Sequence, residues 1–181
     1  AGSVGRTLNR MGDSDRARLY LRRAIQGDPK DLTERANDLA WLSRCVIEKI
    51  DRLRSRKRTR AMMELIANFL RDHAGYITLA QTDPGDNQDL ERSIYYINLR
   101  LGRVMALAAQ MAAASGDVYA QQATELLVRA IQLAPHKPDG YKALRPLLTD
   151  TSYATSDPKR WMALVAGAPP GVQRRLGGRS N

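Results

Sequence analysis

The 181-residue chain is 43% hydrophobic and 27% charged, an ordinary balance for a globular protein that argues against disorder throughout. Its 29 Lys and Arg outnumber 19 Asp and Glu for a net charge of +10, and its one cysteine, Cys45, excludes an intramolecular disulfide framework. No stretch reaches the roughly eighteen continuous apolar residues of a membrane span; the longest candidate, Val104 to Ala114, is too short and carries Gln110. Helix formers outweigh runs of Val, Ile and Thr, so the expected class is all-α. The chain opens Ala1-Gly-Ser without Met, which leaves a processed start and any preceding targeting segment open; a cytoplasmic or other soluble compartment is the expectation.

Residues 3 to 10 predict a short helix that Gly12 ends by adopting a left-handed conformation. Asp13 or Ser14 caps the next helix, on which Ala17, Leu21, Ala24 and Ile25 form one apolar stripe, and Asp28-Pro29 closes it. Asp31-Leu-Thr-Glu34 reads as a capping-box-like start of a helix of about twenty-five residues, which runs into the basic stretch Arg52 to Arg60. A third helix carries Met62, Met63, Leu65, Ile66, Phe69 and Leu70 and continues or restarts near Gly75. Thr82 to Gln88 is the clearest loop, after which Asp86 or Asn87 caps a long helix from Leu90 towards Ala114. Beyond Pro135, residues 136–140 read as a linker. Tyr141 to Leu148 predict a helix shortened or kinked by Pro146, and Asp157-Pro158 starts a last one. Residues 167–181 read as a flexible basic tail with Arg174, Arg175 and Arg179.

Two stretches share a frame: Ala17, Leu21, Ala24 and Pro29 match Ala123, Leu127, Ala130 and Pro135, and Arg23-Ala-Ile-Gln26 recurs as Arg129-Ala-Ile-Gln132. Gly5, Leu8, Gly12, Ala17, Leu21, Ala24 and Pro29 stand at spacings of 3, 4, 5, 4, 3 and 5, so the first copy resembles a tetratricopeptide repeat. The second, Ala109, Ala112, Gly116, Ala123, Leu127, Ala130 and Pro135, is similar, with two residues inserted in the turn at Asp117 to Gln121. The resemblance implies antiparallel helix pairs stacked as a short, irregular superhelix. It gives one domain over residues 1–166, with repeat-like units at about 1–31 and 105–137 and a divergent middle of long helices, 32–104. It also implies that the first helix of each pair faces a concave, partner-holding side, which in the first copy would display Gly2, Arg6, Asn9 and Arg10.

Chemistry finds little material. His73 and His136 are far apart, and neither sits in a His-Glu-x-x-His frame; Cys45 has no Cys-x-x-Cys partner and reads as a buried apolar residue. No phosphate-cradling glycine pattern is present. Asp83, Asp86 and Asp89 surround a Pro-containing loop that lacks the closing Glu of a calcium site. Neither an enzyme nor a cofactor is expected. Trp41, Tyr95, Tyr96 and Trp161 lie on apolar stripes and read as packing residues.

Sixteen Lys or Arg against eight Asp or Glu fall in residues 1–60, and Arg52, Arg54, Arg56, Lys57, Arg58 and Arg60 make the densest run. That run is either a solvated helix end complementing the helix dipole or a contact for an acidic protein, RNA or anionic lipid. The expectation is an adaptor or scaffold within a larger assembly, holding a protein partner with an acidic surface or an extended peptide. An RNA-associated helical-repeat protein ranks second, because no aromatics for base stacking lie near the run. The regulatory helical part of a longer enzyme is a third possibility.

Overall fold

The computed structural model describes residues 1–27, 31–112 and 116–177. Among these the chain is all α-helix, and it divides into two compact units, Ala1–Arg100 and Leu101–Asn181, where the sequence predicts a single domain. The predicted helix stop at Asp28-Pro29, Arg179 of the predicted tail and the first copy's Pro29 lie outside the described residues.

The first unit opens with α1 (Gly2–Arg10) and α2 (Ser14–Gln26). Gly12 turns the chain between them with φ of 86°, and Asp13 caps α2 by accepting from the Arg16 amide. The two helices pack closely because Gly5 has no side chain: a Cβ there would lie 2.6 Å from Leu21 Cγ and 3.1 Å from the Leu21 backbone nitrogen. Ala17 and Leu21 are fully buried at this crossing, whereas Leu8 and Ala24, the other matched positions, are half-buried.

Helix α3 (Leu32–Ser55) has the predicted length, and Asp31 caps it by accepting from the Thr33 amide at 2.8 Å. It runs antiparallel to α2, since Asp15 meets Lys49 and Ser14 meets Arg52. The chain then turns sharply at residues 56–58 into α4 (Thr59–Leu70) and α5 (His73–Ala80), where Phe69 and Tyr76 stack with ring centroids 5.1 Å apart. The basic stretch is therefore a corner between two helices rather than one helix end. Asp72, before α5, accepts from Arg22 at 2.8 Å and ties this turn to α2. Gly85 provides the second left-handed turn, and Asn87 caps α6 (Gln88–Met111) by accepting from the Leu90 amide.

In the second unit α7 spans Gly116–Leu133, so Asp117 to Gln121, read as turn insertion, are helical. The small residue facing Leu127 is accordingly Gly102, not Ala109: a Cβ on Gly102 would lie 2.8 Å from Leu127 Cγ, while Gly116 abuts the Ala109 carbonyl. Extending α7 at its start shifts the pairing two turns along α6. Next, α8 (Pro138–Thr149) begins inside the predicted linker and contains Pro146 on its exposed side. The following loop folds back, Asp157 amide to Leu148 carbonyl and Thr155 hydroxyl to Leu147 carbonyl, satisfying the free carbonyls of the helix end.

Helix α9 (Pro158–Ala166) is capped by Asp157. The predicted flexible tail is corrected by α10 (Pro170–Leu176), whose Val172 is only 2% exposed. Pro170 at the first helical position starts a helix rather than preventing one, and Gln173 Nε2 donates to the carbonyls of Ala166 and Ala168.

Candidate functional site: an arginine and aromatic groove

The registers of α1, α3 and α6 rise together. Arg6 meets Glu34 and Asp38, and Arg10 meets Trp41, so α1 and α3 run in the same direction. Thr33 meets Asn87 and Ala40 meets Arg100, so α3 and α6 do as well. Residues of these three parallel helices that belong to the first unit, none beyond Arg100, line a groove of about 590 Å³.

Residues one helical turn apart on each helix supply the groove's chemistry: Arg6 and Arg10 from α1, Asn37, Trp41 and Arg44 from α3, and Arg92, Tyr96 and Arg100 from α6. Asp31, Glu34 and Asp89 sit at the beginnings of α3 and α6, where carboxylates suit the positive helix ends. The groove thus has an acidic edge and a basic, aromatic side.

Three of the arginines lie over aromatic rings. The guanidinium groups of Arg10 and Arg44 lie 5.4 and 5.2 Å from the Trp41 ring centroid, and that of Arg100 lies 4.4 Å from Tyr96. Arg100 also donates to the Ala40 carbonyl at 2.6 Å, and Arg44 pairs with Glu48 at 2.8 Å. Arg10 and Arg92 make no ion pair among the described residues.

The residues predicted to meet a partner divide. Arg10 is exposed and lines the groove. Arg6 reaches the groove but is committed to the buried Asp38, and Asp38 also closes over Gly2, which is therefore packed rather than displayed. Burial outweighs the Arg6 charge and raises the Asp38 carboxyl above its ordinary value. Asn9 is buried as well, its amide donating to Cys45 Sγ at 3.1 Å and to Glu48 at 3.3 Å, so it fixes α1 on α3. Burial pushes the Cys45 thiol up to about 11, the state of an inert packing residue.

Of the basic run, Arg52 donates to Ser14 Oγ and the Glu48 carbonyl, and Arg60 pairs with Glu64; Arg54, Arg56, Lys57 and Arg58 are exposed at the α3–α4 corner. The corner and the groove share no lining residue. Trp41 and Tyr96, read from the sequence as packing residues, are half-exposed and line the groove, whereas Tyr95 is buried as expected. Their signal in the sequence was the helical spacing of an aromatic with arginines, 41 with 44, and 92 with 96 and 100.

Among the described residues no three His, Cys, Asp or Glu are grouped to hold a metal ion, and no helix is long and apolar enough to cross a membrane. Asp83 accepts from the Gly85 amide and shapes its turn. The sequence matches no family model, and neither the curated proteins nor the solved structures contain a match to the chain.

Proposed function

We propose that the chain is a non-enzymatic adaptor of tetratricopeptide-like construction that holds a segment of a partner protein in the α1–α3–α6 groove within a larger assembly. The observation that carries this reading is the run of three parallel helices presenting stacked arginines, Arg10 and Arg44 on Trp41 and Arg100 on Tyr96, along one groove. Stacking lowers the entropy lost when each arginine engages a ligand, which is how a shallow polar groove gains affinity. The partner segment is extended and carries carboxylates, which suit the guanidinium groups of Arg10 and Arg92, neither of which has an ion pair among the described residues.

A library of extended peptides displayed against the chain tests the reading. Enrichment of acidic sequences is expected, with affinity falling about tenfold or more, or roughly 1.4 kcal/mol or more, in Arg10→Glu and Arg92→Glu variants whose melting is unchanged. Peptides without acidic residues binding equally well to parent and variants would overturn it.

A further inference from the structure

The turn from α3 into α4 has the hydrogen bonds of a Schellman cap: the Arg58 amide donates to the Leu53 carbonyl at 2.9 Å and the Lys57 amide to the Arg54 carbonyl at 3.0 Å. The residue between the cap and these bonds must take the left-handed conformation, a position for which glycine is the usual choice. Here it is Lys57, with φ of 54°, the only non-glycine residue with positive φ among those described. The turns at Gly12 and Gly85 use glycine for the same conformation. The corner therefore places a cation at a backbone position that favours glycine.

That charge stands in a cluster. Between positions 51 and 64, six basic residues face two acidic ones, Asp51 and Glu64, and Glu64 is paired with Arg60. Arg54, Arg56, Lys57 and Arg58 are exposed and make no ion pair among the described residues. Residues 54 to 60 are all exposed and include no apolar side chain, and Leu53 beneath them is buried.

A protein interface is built around an apolar centre from which charges are depleted, and a membrane-seated helix needs several apolar residues beside its cations; residues 54–60 supply none, and the one large exposed apolar side chain that follows them on α4 is Met63. A surface of arginines without an apolar anchor or stacking aromatic suits phosphates of a nucleic-acid backbone, which guanidinium groups bind two-pronged and without regard to sequence. The geometry points to the α3–α4 corner as a sequence-independent contact for the phosphate backbone of duplex nucleic acid, separate from the groove. The chain would then bridge a nucleic acid and a protein partner.

Fluorescence anisotropy with a random-sequence RNA duplex, from about 50 to 200 mM salt, is the test. The parent is expected to bind with affinity that falls steeply as salt rises. Replacing Arg54, Arg56 and Arg58 together by Gln should weaken binding about tenfold or more at low salt and flatten the log–log salt slope by roughly two to three. Lys57→Gly should weaken binding while melting at or above the parent temperature, because glycine relieves the turn. A merely structural role for Lys57 would show as a lower melting temperature with binding intact, and would overturn the inference. So would absence of salt-dependent RNA binding, a triple variant that binds like the parent, or binding to phosphatidylserine vesicles without binding to RNA. Loss of RNA binding in the Arg10→Glu and Arg92→Glu variants would also overturn it, by moving the contact to the groove; failure of the groove to take peptides leaves it standing.

Discussion

Asp38 shows how one side chain is made to serve the architecture of the groove. Its side chain is 5% exposed and Arg6 is the cation beside it, so removing Arg6 strands a carboxylate in the interior. Breaking a buried pair on one side usually costs about 3 kcal/mol or more, although the 18% exposure of Arg6 lets water soften the loss. The pH dependence follows from direction. Because burial raises the folded-state carboxyl above its unfolded value, the contribution of Asp38 is fully present below the unfolded value and is lost as pH rises through the folded one. Without Arg6 that raised value goes higher still. Arg6→Gln is therefore expected to destabilise the chain by about 2–3 kcal/mol at neutral pH and by progressively less towards pH 4, where Asp38 takes up a proton. Urea melts of parent and variant across that range measure it, and a penalty independent of pH would show that the Arg6 contribution is packing alone.

Helices were legible where one face of one helix carried the signal. The caps at Asp31 and Asp157, the lengths of α3 and α6, and the loop at 82–87 all follow from spacing and capping chemistry within a few residues. The tail was missed because Val172 and Leu176 are a single i, i+4 pair among glycines and prolines, too little for a periodic signal, and burial against neighbours decides their state. The second repeat was misread at its turn because Gly116-Asp117, a helix start, looks like a loop until the chain is seen to wind onwards from it. The groove was missed for another reason: it needs Arg10, Trp41 and Tyr96 to converge from three helices, and no local pattern records convergence. The matched alanines now separate as well. Ala130 is fully buried on α7, while Ala24 on α2 is partly exposed. Ala130→Leu should cost about 1–3 kcal/mol by overpacking, and Ala24→Leu clearly less, in thermal melts of the two variants. Equal losses would mean that the two copies pack alike after all.

At the scale of the whole molecule, stability should be distributed as burial is. The second unit is the clearer case because its helices differ so much. In α7, Ala120, Ala123, Leu127 and Ala130 are fully buried, and α8 buries Leu144, Leu147 and Leu148. Helix α9, by contrast, has no buried residue, with Trp161 half-exposed and Met162 62% exposed. An isolated helix of nine residues is too short to persist on backbone hydrogen bonds alone, so α9 depends on its cap at Asp157 and on its packing against α8 and α10. Opening α9 exposes little new apolar surface, whereas opening α7 exposes the core, and the free energies of the two events should differ accordingly. Hydrogen-exchange mass spectrometry is expected to show α9 amides exchanging through local opening orders of magnitude faster than those of α7 and α8. Asp157→Ala should lose a cap worth about 1 kcal/mol, quickening exchange in α9 roughly fivefold while leaving α7 unchanged. Equal protection in α7 and α9 would show that the second unit opens only as a whole, with α9 drawing its stability from contacts outside its own face.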